Sequence, residues 1–229
     1  MRDRPSIEIT LRMLRPHRGQ TRAGHCTVSS HLEVAAASYH AVMHERLGRI
    51  PEARLTAQQR DAVETYKTTR REPDISGPWI PLLRSPQVLV RTQALGEYLR
   101  YRTTLPPRLS ELLILVTACH WSQPYEWGLH APIAIKAGVE PAIVDAIADG
   151  RRPDGMSDEQ AIVYAFGTEL LHDKRVSDAT YEQALARFGE TGVVEAASIV
   201  GYYAMLAAIL NVARTPAEPG MPALPVPSG

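Results

Sequence analysis

The chain has 229 residues, 45% of them apolar, and its 25 basic and 25 acidic residues balance to a formal net charge of zero. That apolar share is enough to bury a sizeable core. The charge balance argues against nucleic acid or an anionic membrane as the main partner, because both select a basic excess.

The first 42 residues stand apart. Arg2, Arg4, Arg12, Arg15, Arg18 and Arg22 outnumber Asp3, Glu8 and Glu33, and His17, His25, His31 and His40 fall here without metal-ligand spacing. No apolar core follows the arginines, which disfavours a secretory signal. The segment 1–42 is expected to be a disordered leader or to precede a true start near Met43.

Regular helical text begins after Ile50-Pro51. Thr56 followed by Gln59 is a capping box opening a helix to about Thr69. Arg70 to Pro81 reads as a loop, interrupted by Pro73, Gly77 and Pro78, with Trp79 and Ile80 pinning it to the core. Ser85-Pro86 starts the next helix. Arg108 to Trp121 is apolar nearly all round and belongs at the centre of a bundle. Pro124 opens a helix through Lys136, ended by Gly138, and Pro141 to Ala148 is the next, closed by Gly150. Ser157 with Gln160 is a second capping box, for a helix to about Asp173, where His172 and Arg175 complement the helix dipole. A short helix from Ser177 to Phe188 and a long one from Val193 to Val212 complete the series. The tail 214–229, with Pro216, Pro219, Pro222, Pro225 and Pro227, is expected to be unstructured. No stretch carries a strand period or a hairpin turn signal, and no uninterrupted apolar run reaches the roughly 18 residues of a membrane span. The fold class expected is all-α: a helical bundle over residues 43–213.

One stretch sets acids, a histidine, aromatics and a cysteine into this apolar pattern. Glu126 and His130 are four apart and share a helix face. Glu111 lies in the first turn of the preceding helix, and an antiparallel hairpin brings it level with His130. Two carboxylates around one imidazole suit proton transfer, since unlike environments part the carboxyl pKa values and histidine titrates near neutrality. Spacing alone also allows a solvated Glu–His pair. It offers no HExxH or Glu-x-x-His metal motif, so no metal is called for. Cys26 and Cys119 are far apart in unlike contexts, which indicates neither a disulfide framework nor a zinc ribbon and fits a reducing cytoplasm. Cys119 itself reads as a small core residue. Tyr125, Trp127 and Trp121 are pocket-lining candidates that core packing explains equally well. Tyr202, Tyr203 and Asn211 are the remaining polar groups on an apolar face, able to reach the pocket or a neighbouring subunit.

Arg108-Leu109-Ser110-Glu111-Leu112, Tyr125-Glu126-Trp127 with His130, Lys136-Ala137-Gly138 and Gly201-Tyr202-Tyr203 together resemble the carboxymuconolactone decarboxylase family, whose superfamily includes the alkyl hydroperoxidase D-like proteins. The likeness spans about residues 50 to 213. It implies a helical bundle assembled as a homo-oligomer, a trimer or hexamer. In the hydroperoxidase branch a Cys-x-x-Cys pair precedes the histidine, and its cysteines fall here on Gln123 and Glu126, with Tyr125 at a position able to carry a relay histidine. The decarboxylase branch keeps a Glu four residues before the His and needs no cofactor. The resemblance thus implies His130 as proton donor and acceptor, with Glu126 or Glu111 orienting it. Tyr125, Trp127, Gln123 and Cys119 are expected to shape the pocket for a small carboxylated or lactone-type substrate. Peroxiredoxin-type chemistry through Cys119 and a non-catalytic oligomeric binding protein are the alternatives.

Overall fold

The computed structural model describes residues 44–225; the expectations for the leader 1–42, for Cys26 and for the end of the tail lie outside them. Helices and loops make up the described residues, with no strand among them, as the sequence periods require. In chain order the main helices are α1 (Ala57–Arg70), α2 (Pro86–Tyr101), α3 (Pro107–His120), α4 (Pro124–Lys136), α5 (Pro141–Ala148), α6 (Asp158–Asp173) and α7 (Asp178–Ala213). A single helical turn, Trp79–Leu82, lies in the loop between α1 and α2.

Local chemistry fixes most boundaries. Both capping boxes form: the side chain of Thr56 accepts from Gln59 N and that of Ser157 accepts from Gln160 N, while each glutamine reaches back to its cap. Such caps are each worth about 1 kcal/mol. Ser85 does not cap through its side chain, and Pro86 at the first position suffices to start α2. Gly138 and Gly150 take positive φ after α4 and α5. The segments expected as two helices, to Phe188 and from Val193, are continuous except at Gly189, whose φ of 68° and ψ of 177° break the helical path.

α3 sits in the middle and packs against α4, α6 and α7. Leu109, Leu112, Leu113 and Leu115 are all fully enclosed, which is what an all-round apolar helix predicts. α7 supplies the other large part of the core through Ile199, Leu206 and Leu210. Contrary to the expectation of no long apolar run, an 18-residue window of α7 reaches a mean hydropathy of 1.8, long and apolar enough to cross a membrane by length and composition. Half of that window is buried within the bundle.

Two polar anchors set the helices that will matter below. Glu195 of α7 accepts from the Tyr98 hydroxyl at 2.7 Å, from Thr104 N at 2.7 Å and from Thr104 Oγ1 at 2.6 Å, fastening the end of α2 to α7. Burial opposes its charge, but these bonds outweigh that and hold the carboxyl below its ordinary range. At the α3–α4 turn, Gln123 donates to Asn211 Oδ1 at 2.8 Å, and Asn211 Nδ2 donates to Trp121 O at 3.0 Å. The tail after α7 carries no helix or strand through Pro225, yet it is laid on the bundle: Thr215 is buried, Leu224 packs on the core and Met221 rests on Gly128.

The α3–α4 turn carries strain. Ser122 is exposed and sits at a φ of 48°, while Gln123 N donates to Ala118 O across it at 2.9 Å. An L-residue pays about 1–2 kcal/mol for the left-handed region, and glycine gives part of that back in chain entropy. Ser122→Gly should therefore stabilise the protein by about 0.5–1 kcal/mol, read as a higher urea midpoint at unchanged slope; a lower midpoint would contradict it.

Candidate active site

The antiparallel pair α3–α4 brings Glu111 and His130 together as the hairpin argument requires. His130 Nδ1 lies 2.7 Å from Glu111 Oε2, and His130 Nε2 lies 3.6 Å from Glu126 Oε2. The first is a hydrogen bond; the second is a close approach. His130 and Glu126 are each only 2% exposed, and Glu111 is buried as well. With Glu111 accepting the Nδ1 proton, Nε2 is left facing Glu126. The Tyr203 ring meets His130 edge-on, centroids 5.1 Å apart, and Tyr202 stacks on Tyr203 the same way at 5.2 Å.

Glu126 is the most perturbed of these acids. Its Oε1 is buried with no hydrogen-bond partner. Burial pushes its carboxyl above the ordinary range; the charges of His130 and Arg100 pull it down, and Glu111 pushes it further up. Two carboxylic acids of one type thus hold unlike environments around one imidazole, the pattern that separates acid from base.

These groups open onto a cavity of about 300 Å³ whose walls include Arg70, Arg100, Tyr125, Glu126, His130 and Tyr203. It lies among α1, α2, α4 and α7, and Glu218 and Met221 of the tail complete it. Close approach of two walls depends on glycine: a Cβ on Gly96 of α2 would overlap the Tyr202 hydroxyl, and one on Gly128 of α4 would lie 2.7 Å from Met221 Cβ. A larger cavity, about 610 Å³, opens between residues 49–55 and α1. Arg49 pairs with Asp74 at 2.7 Å and Lys67 with Glu64 at 3.3 Å at its surface, and its other charges, Glu52 and Arg60, are exposed, so it holds no desolvated charge that a reaction would use.

Of the expected pocket residues, Tyr125 lines the cavity and three others do not. Gln123 is the cap of α4, its Oε1 accepting from Tyr125 N at 2.6 Å. Trp127 is buried and lines a separate groove with Val144 and Ala148 of α5. Cys119 is eight residues beyond Glu111, about 12 Å along the axis of α3, and its thiol donates to Ile147 O at 3.1 Å. Burial raises the thiol pKa, which leaves it a poor nucleophile. Arg70, Arg100, Tyr66 and Glu218 were not anticipated. Arg100 had one usable signal, its place one turn after the helix-interior Gly96, a residue that costs stability unless something packs against it.

Residues 86–167 match the model of the carboxymuconolactone decarboxylase family. Among solved structures, the fold is similar to that of the debrominase Bmp8. A cysteine-to-alanine variant in complex with 2,3,4-tribromopyrrole and the apo form each align at a TM-score of 0.61 and 12% identity, covering 77% of this chain and 94% of the other. No curated protein matches the sequence.

The raised Glu126 carboxyl has a sign for stability. Its folded pKa lies above that of the unfolded chain, so its contribution is full below the ordinary value of 4.5 and is lost as pH rises from there through the raised value. The melting temperature of Glu126→Gln should therefore gain on wild type as pH climbs from 4.5 toward neutrality. Parallel curves would contradict a raised pKa.

Proposed function

We propose, from the match of residues 86–167 to the carboxymuconolactone decarboxylase family model and from the site itself, that this chain is an acid–base enzyme acting on a small carboxylated or lactone-type substrate. The observation that carries the reading is the buried Glu111–His130–Glu126 group, with Glu126 Oε1 unpaired at the cavity wall. Glu111 fixes the imidazole. His130 Nε2 and Glu126 exchange the proton. In a decarboxylation the bond to the departing carboxyl carbon breaks, its electron pair passes into a conjugated carbonyl to give an enolate, and carbon dioxide leaves. Glu126 or His130 then delivers a proton to the carbon left behind. Such proton transfer contributes roughly 10²–10⁴-fold.

Thiol chemistry fits these residues less well. A peroxidatic site needs an accessible low-pKa thiolate and a resolving partner, whereas Cys119 is hydrogen-bonded outside the cavity. Assembly as a homo-oligomer belongs to the same proposal. Leu95 and Tyr98 of α2 and Val194 and Met205 of α7 are exposed apolar side chains, and light scattering at micromolar concentration tests whether a second copy covers them.

A panel of β-keto acids and carboxylated lactones, followed by carbon dioxide release, tests the activity. His130→Ala and Glu126→Gln should each lower kcat/KM by about 10²–10⁴, while Cys119→Ser should leave it unchanged and no variant should consume peroxide above buffer. Unchanged turnover in both acid–base variants would remove the reading, and a well-folded protein inert to the whole panel would point to a binding protein on the same scaffold.

A further inference from the structure

Arg100 is a cation without a partner inside the cavity. It makes no hydrogen bond or ion pair among the described residues, and its Nε is fully enclosed with nothing to donate to. Its guanidinium carbon lies 5.2 Å from the centroid of the Tyr101 ring, which shields one face. A half-buried guanidinium left unpaired is costly, and its planar fork of donors matches a carboxylate better than any other small group.

Burial opposes the charge of Arg100, and Tyr203, Tyr101, Glu111 and Glu126 together outweigh that through space, but none of them hydrogen-bonds to it. Glu111 Oε2 is engaged by His130, and Glu126 forms no ion pair with Arg100. Arg70 also lines the cavity, but it is held: its Nε donates to Gln93 Oε1 at 3.3 Å, its Nη2 to Gln93 O at 3.4 Å, and it stacks 4.9 Å above Trp79. Glu72 and Glu218 line the same cavity and are exposed, so they set negative charge at its mouth.

We propose that Arg100 anchors the substrate through a carboxylate that the reaction leaves intact, and that the cavity accepts compact carboxylates. This rests on the acid–base reading of the same site. The charge lost in the reaction selects the retained carboxylate. An arginine gripping the carboxylate about to be lost would stabilise the ground state as it loses charge, which slows the reaction; gripping a second one holds the substrate without that penalty. The tyrosines Tyr66, Tyr125, Tyr202 and Tyr203 wall a volume of about 300 Å³, which suits a single ring.

Benzoate and its neutral isostere benzamide are the probes, with binding followed by calorimetry and ligand-observed NMR. Wild type should bind benzoate at least tenfold tighter than benzamide. Arg100→Met should abolish that preference, and Arg100→Lys should keep part of it. His130→Ala should keep the preference while losing turnover. Should Arg100→Met fail to fold, phenylglyoxal labelling of Arg100 in wild type, mapped by mass spectrometry, gives the same answer: benzoate should slow it and benzamide should not. Equal affinity for the two probes, binding of neither, a preference that survives Arg100→Met, or labelling that benzoate does not slow would each overturn the anchor. Turnover that survives His130→Ala would instead overturn the acid–base reading and leave the binding result standing.

Discussion

The hydrogen bond from His130 Nδ1 to Glu111 Oε2, 2.7 Å long and buried between the two central helices, is the constraint on which the site depends. It crosses the α3–α4 hairpin, and it fixes three things together: the register of α3 against α4, the orientation of the imidazole and the direction in which Nε2 points. Breaking one side would leave the other buried and unpaired, a cost of several kcal/mol. The surrounding leucines of α3 exclude water, which makes the bond strong and its loss expensive. Stability and chemistry therefore rest on the same contact. Tyr203, edge-on to the imidazole, adds α7 to the pair, so three helices define where one proton can move.

The cavity is assembled from elements that are distant in sequence, and each arrives by a separate device. Glu195 bonds to Tyr98 and to Thr104, tying the segment that bears Arg100 to the helix that bears Tyr203. Gly96 lets the Tyr202 hydroxyl reach α2, and Gly128 lets Met221 close on α4. Asn211 reaches back to Gln123 and Trp121, tying the end of α7 to the turn between α3 and α4. None of these contacts touches His130, yet together they decide what stands opposite it. The proline-rich tail takes part as a wall, through Glu218 and Met221.

The parts legible in the sequence were those governed by one element at a time. Thr56 with Gln59 and Ser157 with Gln160 announce two helix starts because the cap is made by residues three apart. The nearness of Glu111 to His130 was legible too, because a short turn between helices leaves one antiparallel register. Position within a helix told less about which wall a side chain would join. Trp127 and His130 are three apart on α4, yet Trp127 lies in the groove shared with α5 while His130 faces α7. Gln123 looked like a pocket residue and is a cap, because Pro124 starts the helix one residue later. Arg70 read as the start of a loop and Arg100 was not singled out; only the packing of α1 and α2 around the cavity brings both to its wall. Gly189 shows the same limit in reverse, since a single left-handed residue replaced what read as a four-residue break.

The choice between thiol and acid–base chemistry turns on where the enclosed ionisable groups lie. A thiol site needs a cation or helix terminus beside an exposed sulfur to hold it as thiolate. Here the cation, Arg100, lines the cavity that holds Glu126 and His130, while Cys119 is bonded to the Ile147 carbonyl at the far end of α3. The position that the resemblance assigns to a thiol holds instead the carboxyl of Glu126, and burial pushes that group toward its protonated form. A carboxyl pushed toward its protonated form beside an imidazole, with the Arg100 guanidinium in the same cavity, is the arrangement on which the proposed acid–base reading rests. On the proposed reading, Gln123 and Glu126 at the two positions that the resemblance assigns to thiols leave the scaffold with acid–base groups in place of a thiol pair.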